Sequence, residues 1–276
     1  MRWKSTKYRW LARRHPCVLI AIVDDATGRA VARLAPSDSR HENMLLLRSY
    51  LETWGRPQQI QADPDTLFTE RSRDNAGSQI GRALQELDIT WSETDRPGQE
   101  GYAERFFYIA REVLCKRLSS VRISTADGAN RYLRDIYLPM WNAHWAASSV
   151  TIDSHRKLPP KPIVDGSLAE VTTRVVTTDG CVRLDGHLHR IPTNVGTQIP
   201  PGTPLRVEKR LDGRIYARYD GSYCELETIG PTPKAPPVRV AVKRRRRPKP
   251  PNVNGDWMKG FLQRPEQPLW RMLERG

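Results

Sequence analysis

No stretch of this chain approaches the roughly 20 apolar residues that a helix needs to cross a bilayer, which excludes a protein held in the membrane by helices. Met1–Trp10 is basic but lacks the apolar segment of a signal peptide, so none is expected. Cysteine is scarce. Cys17, Cys115, Cys181 and Cys224 are far apart and form no CxxC pair. A disulfide scaffold and a zinc finger are both unexpected, and a reducing compartment fits. Residues 1–23 contain no Asp or Glu.

What is present is basic and globular. The chain has 276 residues, a formal net charge of +14 and 38% hydrophobic residues, with eight Trp and nine Tyr to bury. That is room for one large or two modest domains, and too much apolar content for full disorder. The charge is uneven. Residues Lys234–Lys259 hold nine Lys/Arg against Asp256 alone, +8 of the +14. Proline (PKAPP, RPKPP) keeps this stretch extended. A run such as Lys243, Arg244, Arg245, Arg246, Arg247 and Lys249 repels itself unless it meets a polyanion or water. Contact with a nucleic-acid backbone, mostly independent of sequence, is the expected use. A purely solubilising tail is the alternative.

Periodicity divides the rest. Cys17–Val23 is continuously apolar, as in a strand buried on both faces. Asp24-Asp25-Ala26-Thr27-Gly28 supplies a turn, and Arg29–Leu34 completes a hairpin. A helix is expected over Ser39–Trp54, closed by Gly55. Gln58–Ala62 reads as a strand, Gln79–Leu87 as a helix and Ile89–Trp91 as a strand. Long helices follow from about Gly101 to Leu118 and over Asn130–Trp145. This order predicts a mixed α/β sheet covered by helices over residues 1–145. Residues 146–169 read as a linker. Residues 170–230 carry short strand-like runs separated by four Asp-Gly turns, which indicate a small all-β barrel. Residues 231–276 form the basic Pro-rich tail.

Asp63 ends a predicted strand and Glu104 opens a long helix. Carboxylates at such places are able to hold Mg²⁺, which takes a few carboxylate oxygens and keeps waters that a phosphate displaces. On spacing alone, solvated surface acids are the stronger reading. His187 and His189 alternate near Cys181, and ordinary barrel surface is preferred there to a metal. His144, between Trp141 and Trp145, reads as helix packing or surface. Phe106, Phe107 and Tyr108 read as core of the long helix, with base stacking the lesser alternative. Trp257 and Trp270 are suited to anchoring the tail on another subunit or to stacking on DNA.

The segments IAIVDDATG (Ile20–Gly28), WGRPQQIQAD ending at Asp63 and RPGQEGYAER containing Glu104 resemble the catalytic core of bacterial insertion-sequence transposases, in the retroviral-integrase superfamily. TTRVVTTDGCVRLDGHLHRIP, RLDGRIYARYDGSY and the KRRRRPKPP tail are similar to the C-terminal barrel and ending of the ISNCY-like group. The resemblance implies an RNase H-like core followed by a small all-β barrel and a basic disordered tail. It implies Mg²⁺-dependent (or Mn²⁺-dependent) DNA strand cleavage and transfer by a DDE triad, in DNA recombination. Asp63 matches the second acid and metal ligand, and Glu104 the third, with Arg105 completing the ER pair. Gly101 allows close approach just before the Glu. The first acid is missing: Lys4 stands where the motif, six residues before Trp10, has its Asp. An ammonium there removes a ligand and repels a dication, so impaired catalysis is expected. Asp24 and Asp25 read as turn residues, with substitution for the missing metal ligand the lesser alternative, and the turn reading also prevails for Asp65.

The family carries helix-turn-helix modules ahead of its core, whereas this sequence begins inside the first strand, which reads as a truncated gene. The implied partners are DNA and further copies of the chain on DNA, with no membrane, in the bacterial cytoplasm at the nucleoid. The alternative is a non-catalytic DNA-binding relic, or an inhibitor of an intact transposase. An RNase H-like nuclease of RNA–DNA hybrids would share the fold but not the barrel and tail.

Overall fold

The computed structural model describes residues 1–11, 16–62, 78–93, 101–145, 155–192 and 199–231. Residues 1–232 form one compact unit. Among the described residues no helix is long and apolar enough to cross a membrane.

The first layer is a five-stranded sheet. Strands β1 (Arg2–Tyr8), β2 (Cys17–Val23), β3 (Ala30–Ala35), β4 (Gln59–Ala62) and β5 (Thr90–Glu93) lie in the order β3-β2-β1-β4-β5. β1, β2 and β3 are antiparallel neighbours; β4 joins β1, and β5 joins β4, in parallel. This is the mixed sheet flanked by helices expected of an RNase H-like core. β2 is buried at every residue because it feeds two cores. Val18, Ile20 and Ile22 face one side, with Trp3, Leu47 and Ile80. Leu19, Ala21 and Val23 face the other, with Phe106, Leu133 and Trp141. The period-2 pleat splits one apolar run between two helical layers.

Helix α1 (Arg40–Trp54) and helix α2 (Gln79–Glu86) cover the first side. The Ser39 side chain caps α1 by accepting from the Glu42 amide, and Gly55 ends it at φ +88°. The second side is covered by α3 (Tyr102–Ile109), running through a π-helical turn into α4 (Cys115–Ser120), and by α5 (Ala126–Tyr132), running through another into α6 (Leu138–His144). Phe106 packs edge-on against Phe107, Tyr137 and Trp141, so these aromatics are core, as the sequence reading had it. Tyr108 is the exception at 68% exposure. β3 is an edge strand, and its free backbone is covered by two asparagines. Asn130 of α5 both donates to and accepts from Leu34, and Asn142 of α6 does the same with Ala30. Pairing at both ends of the strand blunts this edge against another strand.

The segment read as a linker is structured where it is described. His155 hydrogen-bonds the Tyr50 hydroxyl at 2.8 Å and Arg156 pairs with Asp88 at 2.6 Å. Helix α7 (Lys161–Ser167) follows, and Val164 and Leu168 enter the α1–α2 core. About two turns of helix in a Pro-rich run gave too few apolar positions to be visible as a period.

Strands β6 (Glu170–Val175), β7 (Cys181–Leu184), β8 (His187–Arg190), β9 (Pro204–Lys209), β10 (Ile215–Tyr219), β11 (Ser222–Glu225) and β12 (Glu227–Pro231) form a four-stranded sheet, β11-β10-β9-β6, and a three-stranded one, β12-β8-β7. Both contribute to one small core of Val176, Val182, Leu184, Leu205, Val207, Ala217 and Leu226. Asp185-Gly186 and Asp220-Gly221 take positive φ at both residues, the hairpin geometry that Asp-Gly favours. This β unit is docked on α2. Arg206 grips Glu86 with two nitrogens at 2.7 and 3.0 Å, Arg82 donates to the Ala169 carbonyl at 2.6 Å, and the Gln79 amide pairs with the Val171 backbone at 2.8 and 3.0 Å.

Candidate functional site

The N-terminus of α3, the β2–β3 turn and the start of β1 enclose an open groove of about 1020 Å³, lined by Arg2, Asp25, Gly101, Tyr102, Glu104, Arg105 and Tyr108. Each wall is set locally. On β1, Trp3 points into the α1–α2 core, where its indole donates to Asn43 at 3.0 Å. Arg2 and Lys4 therefore project from the opposite face, toward α3. The turn is fixed by Asp24, whose carboxylate accepts from the Ala26 amide at 3.0 Å and the Thr27 hydroxyl at 2.6 Å. Gly28 sits at φ +74°, and a Cβ there would meet the Tyr102 ring at 2.7 Å. The turn thus presses on α3, and Trp141 clamps it by donating to the Gly28 carbonyl at 2.9 Å.

Glu104 is the third residue of α3, and its Oε2 accepts from the Gly101 amide at 3.2 Å, so it caps its own helix. The same carboxylate meets Arg2 at 3.4 Å and Lys4 at 3.4 Å. Arg2 also reaches Asp25 at 3.1 Å. Burial pushes the Asp25 carboxyl above its ordinary range; Arg2 pulls it back, and Glu104 adds to the rise. A Cβ on residue 101 would lie 3.3–3.5 Å from Glu104, Arg2 and Asp25, so Gly101 keeps the cluster tight. Arg105, also on the groove wall, lies 4.4 Å over the Trp145 ring.

The sequence reading is answered unevenly. Glu104 and Lys4 are brought together, and Asp24 is the turn residue expected of it. Asp63 and Asp65 lie outside the described residues, which stop at Ala62 on β4, as do Lys243, Arg244, Arg245, Arg246, Arg247 and Lys249 of the tail and Trp257 and Trp270. Asp25, read as a turn residue in preference to a metal ligand, lines the groove. Arg2 was missed, although its position two residues before Lys4 on a strand places both on one face. His189 is buried and hydrogen-bonds Thr228 at 3.1 Å, while His187 bonds the Asp185 carbonyl at 3.0 Å. His144 bonds the Met140 carbonyl at 3.1 Å, one turn back on its helix.

Among the described residues no group of three or more His, Cys, Asp or Glu is arranged to hold a metal ion. The two carboxylates in the groove, Asp25 and Glu104, are each engaged by a cation of the chain. So engaged, these described residues do not fit a Mg²⁺ site, which takes one or two carboxylates that are available to the ion.

The chain is similar to a protein of Sinorhizobium fredii named as a transposase, y4bF, with 29% identity over 226 residues, 79% of this chain and 49% of that protein. It therefore spans about half the length of the curated relative it matches. No family model matches the chain. Among solved structures it is similar to the HTLV-2 integrase catalytic core in complex with magnesium, at 17% identity and TM-score 0.38 over 49% of this chain and 84% of that one. It is also similar to the BIV integrase catalytic core, at 14% identity and TM-score 0.36 over 56% and 87%. The simian T-cell lymphotropic virus intasome in complex with a PP2A regulatory subunit matches at 16% identity and TM-score 0.38 over 82% and 78%. Likenesses this distant assign no residue a role.

Proposed function

We propose that this chain is a transposase-type protein that acts on DNA in recombination, and that its own core is impaired in strand cleavage. The observation that supports the impairment is the engagement of Glu104 by Lys4 and Arg2, at 3.4 Å each. In the family the expected chemistry is Mg²⁺-dependent attack of a water or a 3′-OH on a phosphodiester, with Asp63 and Glu104 among the metal ligands. Here Glu104 caps α3 and is engaged by two cations, and Lys4 stands in place of the first acid. On this reading the core spans residues 1–145, the β unit 170–230 and the basic tail 231–276. The tail residues Lys243–Arg247 and Lys249 lie along the phosphate backbone and release counterions on binding. The protein works as a homo-oligomer on DNA, at the bacterial nucleoid.

A second reading is favoured by the same ion pairs: a non-catalytic DNA-binding protein that joins, and so inhibits, the multimers of an intact transposase. Both readings require DNA binding without divalent ions.

The test is plasmid nicking in Mg²⁺ and Mn²⁺ by the chain and by Glu104→Ala, beside gel shifts in EDTA over a salt series. The expected result is salt-sensitive binding in EDTA and no nicking by either protein. Nicking by the chain that Glu104→Ala abolishes would overturn the impairment. Absence of binding at low salt would overturn the DNA reading itself.

A further inference from the structure

We propose that Arg2 and Lys4 together close the groove to divalent cations, so that an acid restored at position 4 alone does not open it. The inference rests on the transposase-like reading, since only that reading makes a metal expected here.

The geometry is specific about both cations. They leave the same face of β1, with Trp3 between them turned to the other core. Glu104 Oε1 accepts from Lys4 Nζ at 3.4 Å and Arg2 Nη1 at 3.5 Å. Glu104 Oε2 accepts from Arg2 Nη1 at 3.4 Å and the Gly101 amide at 3.2 Å. Arg2 Nε lies 3.1 Å from Asp25 Oδ2. Two cations thus meet two carboxylates, and the described part of the cluster has no charge left to attract a dication. A metal would have to displace donors from both Glu104 oxygens and then lie about 4 Å from two positive groups.

Arg2 is the stronger half of this closure. It bridges Asp25 and Glu104. Its side chain is 15% exposed against 31% for Lys4, so solvent screens it less. Its guanidinium spreads one charge over a planar fork that lies against both acids at once. The Lys4→Asp change would supply an acid but leave that bridge intact.

The test is Mn²⁺ binding by the full chain, read by electron paramagnetic resonance of free Mn²⁺ and by titration calorimetry. Four further proteins are compared: Glu104→Ala, Lys4→Asp, Arg2→Gln/Lys4→Asp, and that pair combined with Glu104→Ala. Thermal melts check that each is folded, and Arg2→Met/Lys4→Asp serves if the Gln variant does not melt cooperatively. The chain itself should show no Glu104-dependent binding up to about 1 mM, the weak end of protein affinity for hard cations. Lys4→Asp should differ little from it. The Arg2→Gln/Lys4→Asp protein should bind at least about ten-fold more tightly than Lys4→Asp, and Glu104→Ala in that background should remove the gain.

Binding by the chain that is lost in Glu104→Ala overturns the inference, and that comparison needs no reshaped site. Lys4→Asp binding as tightly as the double variant overturns the part assigned to Arg2. A folded double variant that binds no better than Lys4→Asp shows that the two cations are not what excludes the metal. DNA binding in EDTA is scored separately, so failure of the transposase-like reading is visible as loss of that binding whatever Mn²⁺ does.

Discussion

Glu104 illustrates how one residue is held to a place by its structural work. Its carboxylate caps α3 through Gly101 and accepts from Arg2 and Lys4. Removing it leaves an α3 N-terminal amide without its cap and takes one carboxylate away from Arg2 and Lys4. Glu104→Ala should therefore lower stability by about 1–2 kcal/mol in metal-free buffer, read as a shift of the urea midpoint. An unchanged midpoint would mean that Glu104 is not part of the fold's support. The family resemblance marked Glu104, in the first turn of its helix, but nothing marked Arg2, because a cation near a basic N-terminus looks like surface. Only the β1 register beside α3 shows that its side chain is 15% exposed and shared between two acids.

At the scale of elements, the long helices do more than cover the sheet. Asn130 and Asn142 each pair twice with the backbone of β3 and so replace a missing sixth strand. Neither asparagine carried a signal in the sequence, since Asn on a helix face is usually solvated. Asn130→Ala and Asn142→Ala should each cost about 1–2 kcal/mol and speed amide exchange at Leu34 and Ala30 respectively. Exchange there at the wild-type rate would place the protection of β3 elsewhere. α7 makes the complementary point. Its seven residues offer little periodicity, yet Val164 is buried at 6% exposure and Leu168 just after it at 1%. Packing decides what a short helix does when its sequence pattern is too brief to show it.

For the molecule as a whole, the junction of the α/β layer with the β unit is ionic. Glu86 accepts from both Arg206 and Arg82, and Arg206 also bonds Glu208, which is fully buried. Gly166 packs so close to Glu208 that a Cβ would lie 2.8 Å from its Oε2. Burial alone would raise the Glu86 carboxyl, but Arg206 and Arg82 outweigh it and hold it below its ordinary value. A carboxyl depressed in the folded state contributes stability above the unfolded value, about 4.3, and loses that contribution as pH falls through the folded value. The urea-midpoint gap between the wild type and Glu86→Gln should therefore be widest near neutral pH and shrink on acidification below about pH 4. A gap that is constant from neutral pH to pH 3 would assign the junction to packing rather than charge.

By itself the sequence determined which segments are strands and helices wherever the apolar period ran long enough, as in β2, α1 and α3. It also determined the hairpin turns at Asp185-Gly186 and Asp220-Gly221, because few residue pairs accept positive φ at both positions. Composition concentrated the positive charge in the tail, and the resemblance to the transposase family singled out Glu104 and Lys4. What only the tertiary structure decided is which groups meet across distance. Arg2 lies 102 residues from Glu104, Asn142 lies 112 from Ala30 and Arg206 lies 120 from Glu86. The physical reason is that hydrophobic patterning is a local property of the chain, read residue by residue. The charge of a site depends on the side chains that strand register and helix docking bring within a few ångströms.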